Sequence, residues 1–136
     1  FETMAQGFQQ AIAKVRAALG NAQVSLEQRA AIDEEMRVAE VCAIHFQSVA
    51  NQTRFVMNRN AFNEAPAAET APQHAATMRA LLDSEIVLAQ RMHALQSQDS
   101  RFGYEASNHY FYVPTDLVEK AVNCRSLKED WLKTPQ

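Results

Sequence analysis

Leu26-Glu-Gln-Arg-Ala-Ala-Ile-Asp-Glu-Glu-Met-Arg-Val-Ala-Glu-Val-Cys-Ala-Ile-His-Phe-Gln-Ser-Val-Ala-Asn-Gln-Thr-Arg-Phe-Val-Met-Asn-Arg-Asn60 contains neither glycine nor proline. Nothing in it interrupts a helix, and at ~1.5 Å per residue one helix over this run extends about 50 Å. Just before it, Ser25-Leu-Glu-Gln28 has the S-x-x-Q form of a capping box, which places the helix start at Leu26. The apolar positions Met36, Val38, Ala39, Val41, Cys42, Ala43, Ile44, Phe46, Val49, Ala50, Phe55, Val56 and Met57 cover more than one side of the helix. A helix apolar on several sides is a central one, packed by neighbours. One polar line remains, Glu40, Gln47, Asn51, Arg54 and Asn58. It reads as a solvated face, with a partner-facing or ligand-facing groove as the alternative.

Outward from this helix the chain keeps the same character. Before it, Glu2 to Leu19 carries Phe8, Ile12, Val15 and Leu19 at helical spacing and ends at Gly20-Asn21, a usual stop signal. After it, Pro66 and Pro72 mark a turn, and Thr70 with Pro72 just inside starts a third helix over about Gln73 to Ser97. Met78, Leu81, Leu82, Ile86, Leu88, Ala89, Met92 and Leu95 form its stripe. Pro114-Thr115-Asp116 opens a fourth helix with Leu117, Val118, Ala121, Val122, Cys124 and Leu127 as its stripe and Trp131 near its end. The pattern predicts one all-α domain, an antiparallel bundle of three to four helices with one very long central helix.

Composition narrows the function classes. A 136-residue chain can bury a real core, and a net charge of −3 argues against a partner with a phosphate backbone, so no nucleic acid is expected. No apolar run approaches the ~20 residues that span a bilayer. The chain begins Phe-Glu-Thr-Met, with no signal peptide and no initiator methionine, which reads as a piece of a longer polypeptide. Cys42 and Cys124 have no C-x-x-C pairing and sit in apolar helices, so two buried free thiols are expected; spacing alone does not decide whether they meet.

The one segment that does not read as helix is Gln98 to Pro114, irregular and aromatic, lying before the last helix. It holds all three tyrosines of the chain together with Glu105, Asn108 and His109, and any specific chemistry is expected there. In an extended backbone Tyr104, Tyr110 and Tyr112 share one parity, with Glu105, Ser107, His109 and Phe111 on the other. Three roles suit this composition. The plainest is a clasp that closes the end of the bundle; the others are docking onto another domain and direct contact with a ligand such as carbohydrate, which stacks on aromatic faces and bonds to amides and carboxylates.

Complete active sites are not found. Bundles hold metals through Glu-x-x-His pairs, but Glu40 and His45 are five apart and Glu85 and His93 eight apart. No metal and no cofactor is therefore expected, and His45 and His93 read as hydrogen-bonded structural histidines, with His74 exposed near a helix start. A nucleophile would need Ser or Cys near His, and a self-contained hydrolytic site from Ser107 and His109 is not expected. Asp99 and Asp116 could pair with Glu105, yet helix-cap roles explain both. A small enzyme using Glu105 and His109 as acid–base groups stays an alternative.

Asp99-Ser-Arg-Phe-Gly-Tyr-Glu-Ala-Ser-Asn-His-Tyr-Phe-Tyr112, followed by Asp116-Leu-Val-Glu-Lys-Ala-Val-Asn-Cys124, resembles the C-terminal helical region of large bacterial glycoside hydrolase-like proteins of polysaccharide-degrading bacteria. The resemblance covers about Glu85 to Leu127. It implies that this piece ends a longer polypeptide whose catalytic domain lies upstream, in an exported, periplasmic or surface setting. Tyr104, Glu105, Asn108, His109, Tyr110 and Tyr112 would then contact that domain or its carbohydrate. A stand-alone helical interaction protein is the competing expectation.

Overall fold

The computed structural model describes residues 1–66, 68–105, 109–110 and 113–132; of Tyr104, Glu105, His109, Tyr110 and Trp131 it describes the backbone. The chain is helical almost throughout. Among the described residues four helices follow one another: α1 (Glu2–Asn21), α2 (Leu26–Glu64), α3 (Ala71–Gln96) and α4 (Pro114–Ser126). A π-helical turn, Leu127–Trp131, continues α4. Between α3 and α4 runs a ladder of two residue pairs, β1 (Tyr104–Glu105) and β2 (His109–Tyr110).

Local chemistry sets the helix ends. At the start of α2 the Gln28 N–H donates to Ser25 Oγ at 3.1 Å and the Ser25 N–H donates to Gln28 Oε1 at 2.9 Å, the reciprocal capping box read from the sequence. Ser25→Ala is expected to cost about 1 kcal/mol of stability in urea unfolding, because one orphan N–H of the first turn loses its acceptor. Thr70 holds the position before α3, its backbone carbonyl accepting from the His74 N–H at 3.1 Å with Pro72 in the first turn, and the Val113 N–H donates to Asp116 Oδ2 at 3.3 Å where α4 begins. Asp116 thus has its expected cap role. Asp99 does not: its carboxylate binds the Arg101 backbone N–H at 3.0 Å and the Arg101 guanidinium at 2.6 Å, tying the turn after α3. The α1 helix passes through Gly20 and stops only at Asn21, since nothing at Gly20 demands a left-handed backbone. Gly103, by contrast, has φ 107°, a conformation that favours glycine, and it turns the chain from buried Phe102 into β1.

The chain packs as two compact units, Phe1–Gln47 and Ser48–Gln136, so that α2 contributes to both. In the first unit α1 meets the amino-terminal part of α2. Phe1 and Phe8 stack on Phe46 with ring centroids 6.3 and 6.0 Å away, and the Arg29 guanidinium donates to the Leu19 carbonyl. Its buried residues are Ala5, Ile12, Leu19, Ala43 and Ile44.

The second unit holds the larger core: Ala50, Ala71, Met78, Leu81, Leu82, Ala89, Met92, Leu95, Phe102, Leu117 and Cys124. Met78, Met92 and Leu95 are sealed from solvent. Arg79 donates to the Leu132 carbonyl at 2.6 Å and Lys128 pairs with Asp83 at 2.5 Å, which hold the π-helical turn against α3. The α4 stripe is narrower than its sequence suggests. Leu117 and Cys124 are buried, but Val118 and Val122 are 53% and 60% exposed, because they lie one residue round the helix from the seam that faces α3.

Candidate functional site

The densest polar arrangement lies inside the second unit, where α2, α3 and α4 each send charged or polar side chains inward. Along α2 the spacing Ile44, Ser48, Asn51, Phe55 puts two polar residues on a stripe that is otherwise apolar. Along α3 Glu85 occupies a core position among Leu81, Leu82, Ala89 and Met92, and along α4 Lys120 stands between Leu117 and Cys124. Helical periodicity therefore aims a carboxylate and an ammonium into the same interior.

They meet. Lys120 Nζ lies 2.5 Å from Glu85 Oε2, with Glu85 93% and Lys120 75% withdrawn from solvent by side-chain exposures of 7% and 25%. Ser48 uses its whole hydrogen-bonding capacity here: Oγ donates to Glu85 Oε2 at 2.9 Å and accepts from Lys120 Nζ at 2.7 Å and from Gln52 Nε2 at 3.0 Å. The Asn51 amide donates to Glu85 Oε1 at 2.8 Å and to Ser84 Oγ at 2.9 Å. Both carboxylate oxygens are thus matched by donors, the condition for burying a charge at tolerable cost. Asn51, read as part of a solvated polar line, is 3% exposed and belongs to this network instead.

A cavity of about 230 Å³ adjoins the pair, walled by Phe55, Leu81, Leu82 and Leu127 and reached by Asn51, Lys120 and Cys124. Burial raises the Cys124 thiol above its ordinary value of 9.0; the Glu85 charge raises it further, and the Lys120 charge opposes both. The thiolate is accordingly disfavoured in the folded chain. A raised folded value means that the folded state holds its proton more tightly than the unfolded state does. The stabilisation is complete below the unfolded value and is lost as pH climbs through and above about 9. Alkylation by iodoacetamide at neutral pH is expected to modify half-buried Cys42 first, with Cys124 reacting at a comparable rate only after denaturation. Both cysteines are free, though Cys42 is less buried than expected.

Other expected residues fall as follows. The ladder sets Tyr104 opposite Tyr110 and Glu105 opposite His109, so the two pairs alternate as the extended reading requires. Asn108 and Tyr112 lie outside the described residues. His74, expected to be exposed, is half-buried, and its Nδ1 lies 2.9 Å from Asn58 Oδ1. His45 packs edge-on against Phe46 at 5.6 Å, and His93 is half-buried where α3 borders α4. At the end of α3 the Gln96 side-chain oxygen is buried without a partner among the described residues.

Among the described residues no three His, Cys, Asp or Glu side chains converge as a metal ion would require. None of their helices is long and apolar enough to cross a membrane. The network of Glu85, Lys120, Ser48 and Asn51 can do one thing plainly: it ties three helices at a fixed register, since each partner is spent on another. Comparison with known proteins finds no match among family models, curated proteins or solved structures.

Proposed function

We propose that this chain is a non-catalytic helical accessory module of a bacterial glycan-processing enzyme, docking on its catalytic domain or bordering that domain's cleft. The observation that carries the non-catalytic part is the closed Glu85–Lys120 network, in which the buried ionic groups serve one another. The glycan setting rests on the resemblance of the segment around Tyr104–Tyr112. The docking residues in this reading are Tyr104, Glu105, Asn108, His109, Tyr110 and Tyr112, with carbohydrate as an additional contact. The helices run antiparallel within each unit. Pairing of Phe1 with Phe46 and of Leu19 with Arg29 supports this for the first unit, and Asn58 with His74, Asn51 with Glu85 and Asp83 with Lys128 support it for the second.

Tyr110→Ala in the polypeptide that joins this module to its catalytic domain provides the test. Activity is expected to fall several-fold while helicity and thermal stability of the module persist. Unchanged activity and stability would remove the docking role.

A second reading, a small acid–base enzyme, draws on the ladder register that sets Glu105 opposite His109. It requires turnover by the 136-residue chain alone, with a pH dependence abolished by His109→Gln.

A further inference from the structure

The first unit leaves an apolar surface uncovered. Its two helical segments bury only Ala5, Ile12, Leu19, Ala43 and Ile44. Beside that small core runs a groove of about 670 Å³, formed by α1, Ala22 just after it and the amino-terminal part of α2. Val15, Ile32 and Met36 supply its larger apolar surfaces over the buried Leu19, and alanines make up most of the rest. Alanine leaves room for another backbone to come close, which suits a third helix laid into the seam between two. The charged residues that line the groove are Glu34 and Glu35, both acidic and both on α2.

We propose that this groove seats a basic amphipathic helix from a partner, its apolar face on Val15, Ile32 and Met36 and its lysines or arginines beside Glu34 and Glu35. Apolar walls select an apolar stripe at i, i+3, i+4 and i+7, the helix-in-groove mode. The exposed carboxylates of Glu34 and Glu35 favour a cationic rim on the occupant and speed encounter. They also disfavour nucleic acid, which brings further negative charge. The inference rests on the chain being a binding module and assigns it a surface separate from the Tyr104–Tyr110 ladder.

The test uses two fluorescent peptides of roughly 18 residues, long enough to form a helix on binding, with leucines at i, i+3, i+4 and i+7. One carries lysines on its polar face and the other glutamates. Anisotropy titrations with the whole chain are expected to show saturable, equimolar binding of the lysine peptide. Val15→Asp should weaken it at least about tenfold by placing a carboxylate in the apolar floor, with far-UV circular dichroism unchanged. Glu34→Lys together with Glu35→Lys should reverse the preference toward the glutamate peptide, which non-specific attraction to an acidic protein would not do.

Equal binding by wild type and Val15→Asp, or no reversal in the double variant, overturns the proposal. A wild-type dimer that Val15→Asp converts to monomer also overturns it, because the occupant is then a second copy. Failure of the peptide together with a loss of activity in Tyr110→Ala refutes the groove and leaves the module reading intact. Hydrolysis of glycosides by this chain alone refutes the module reading whatever the peptide does.

Discussion

Lys120→Met is expected to lower the unfolding free energy by roughly 3 kcal/mol. The reason is the carboxylate left behind. Glu85 is 5% exposed and keeps Ser48 and Asn51 as donors, but it loses the cation that lies 2.5 Å away. A buried charge without its counter-ion costs more than the pair contributes when intact. The quarter exposure of Lys120 places the loss near the lower end of the range for buried pairs. Glu85→Gln added to Lys120→Met should restore most of the stability, since an amide can still bond to Ser48 and Asn51 and no charge remains to be stranded. Urea unfolding of the four proteins of this double-mutant cycle gives the coupling directly. A Lys120→Met variant as stable as wild type would mean that the network is not a tie between helices.

Leu95→Ala should cost about 3 kcal/mol, whereas Met57→Ala should stay within about 0.5 kcal/mol of wild type. Leu95 is 1% exposed on the inward stripe of α3, so truncation opens a void that neighbours such as Met92 cannot fill without leaving their own packing. Met57 is 65% exposed, although the sequence counts it with the apolar positions of α2. The same comparison, made by thermal unfolding, separates core from surface where composition does not.

Helix identity and helix starts were readable because they depend on neighbours in the chain. Ser25 and Gln28 bond to each other, and Asp116 reaches the N–H of Val113, just before the helix it caps. The buried network was not readable in the same way. Glu85 and Lys120 stand 35 positions apart, and periodicity alone treats a charged residue on an apolar stripe as an exception rather than as half of a pair. The signal was present all the same: opposite charges at core positions on two different helices, with Ser48 and Asn51 on a third. Val118 and Val122 failed in the other direction, since an apolar residue on a helix is buried only if a neighbour arrives to cover it. In the aromatic segment the parity of Tyr104 and Tyr110 against Glu105 and His109 was legible, because a ladder alternates by geometry.

The most direct test of the non-catalytic reading is hydrolysis of a panel of chromogenic glycosides by the 136-residue chain alone, between about pH 4 and 9. The expected result is no release above the buffer blank at any pH. Turnover with a pH dependence that His109→Gln abolishes would contradict it and would place the chemistry on the ladder between Glu105 and His109.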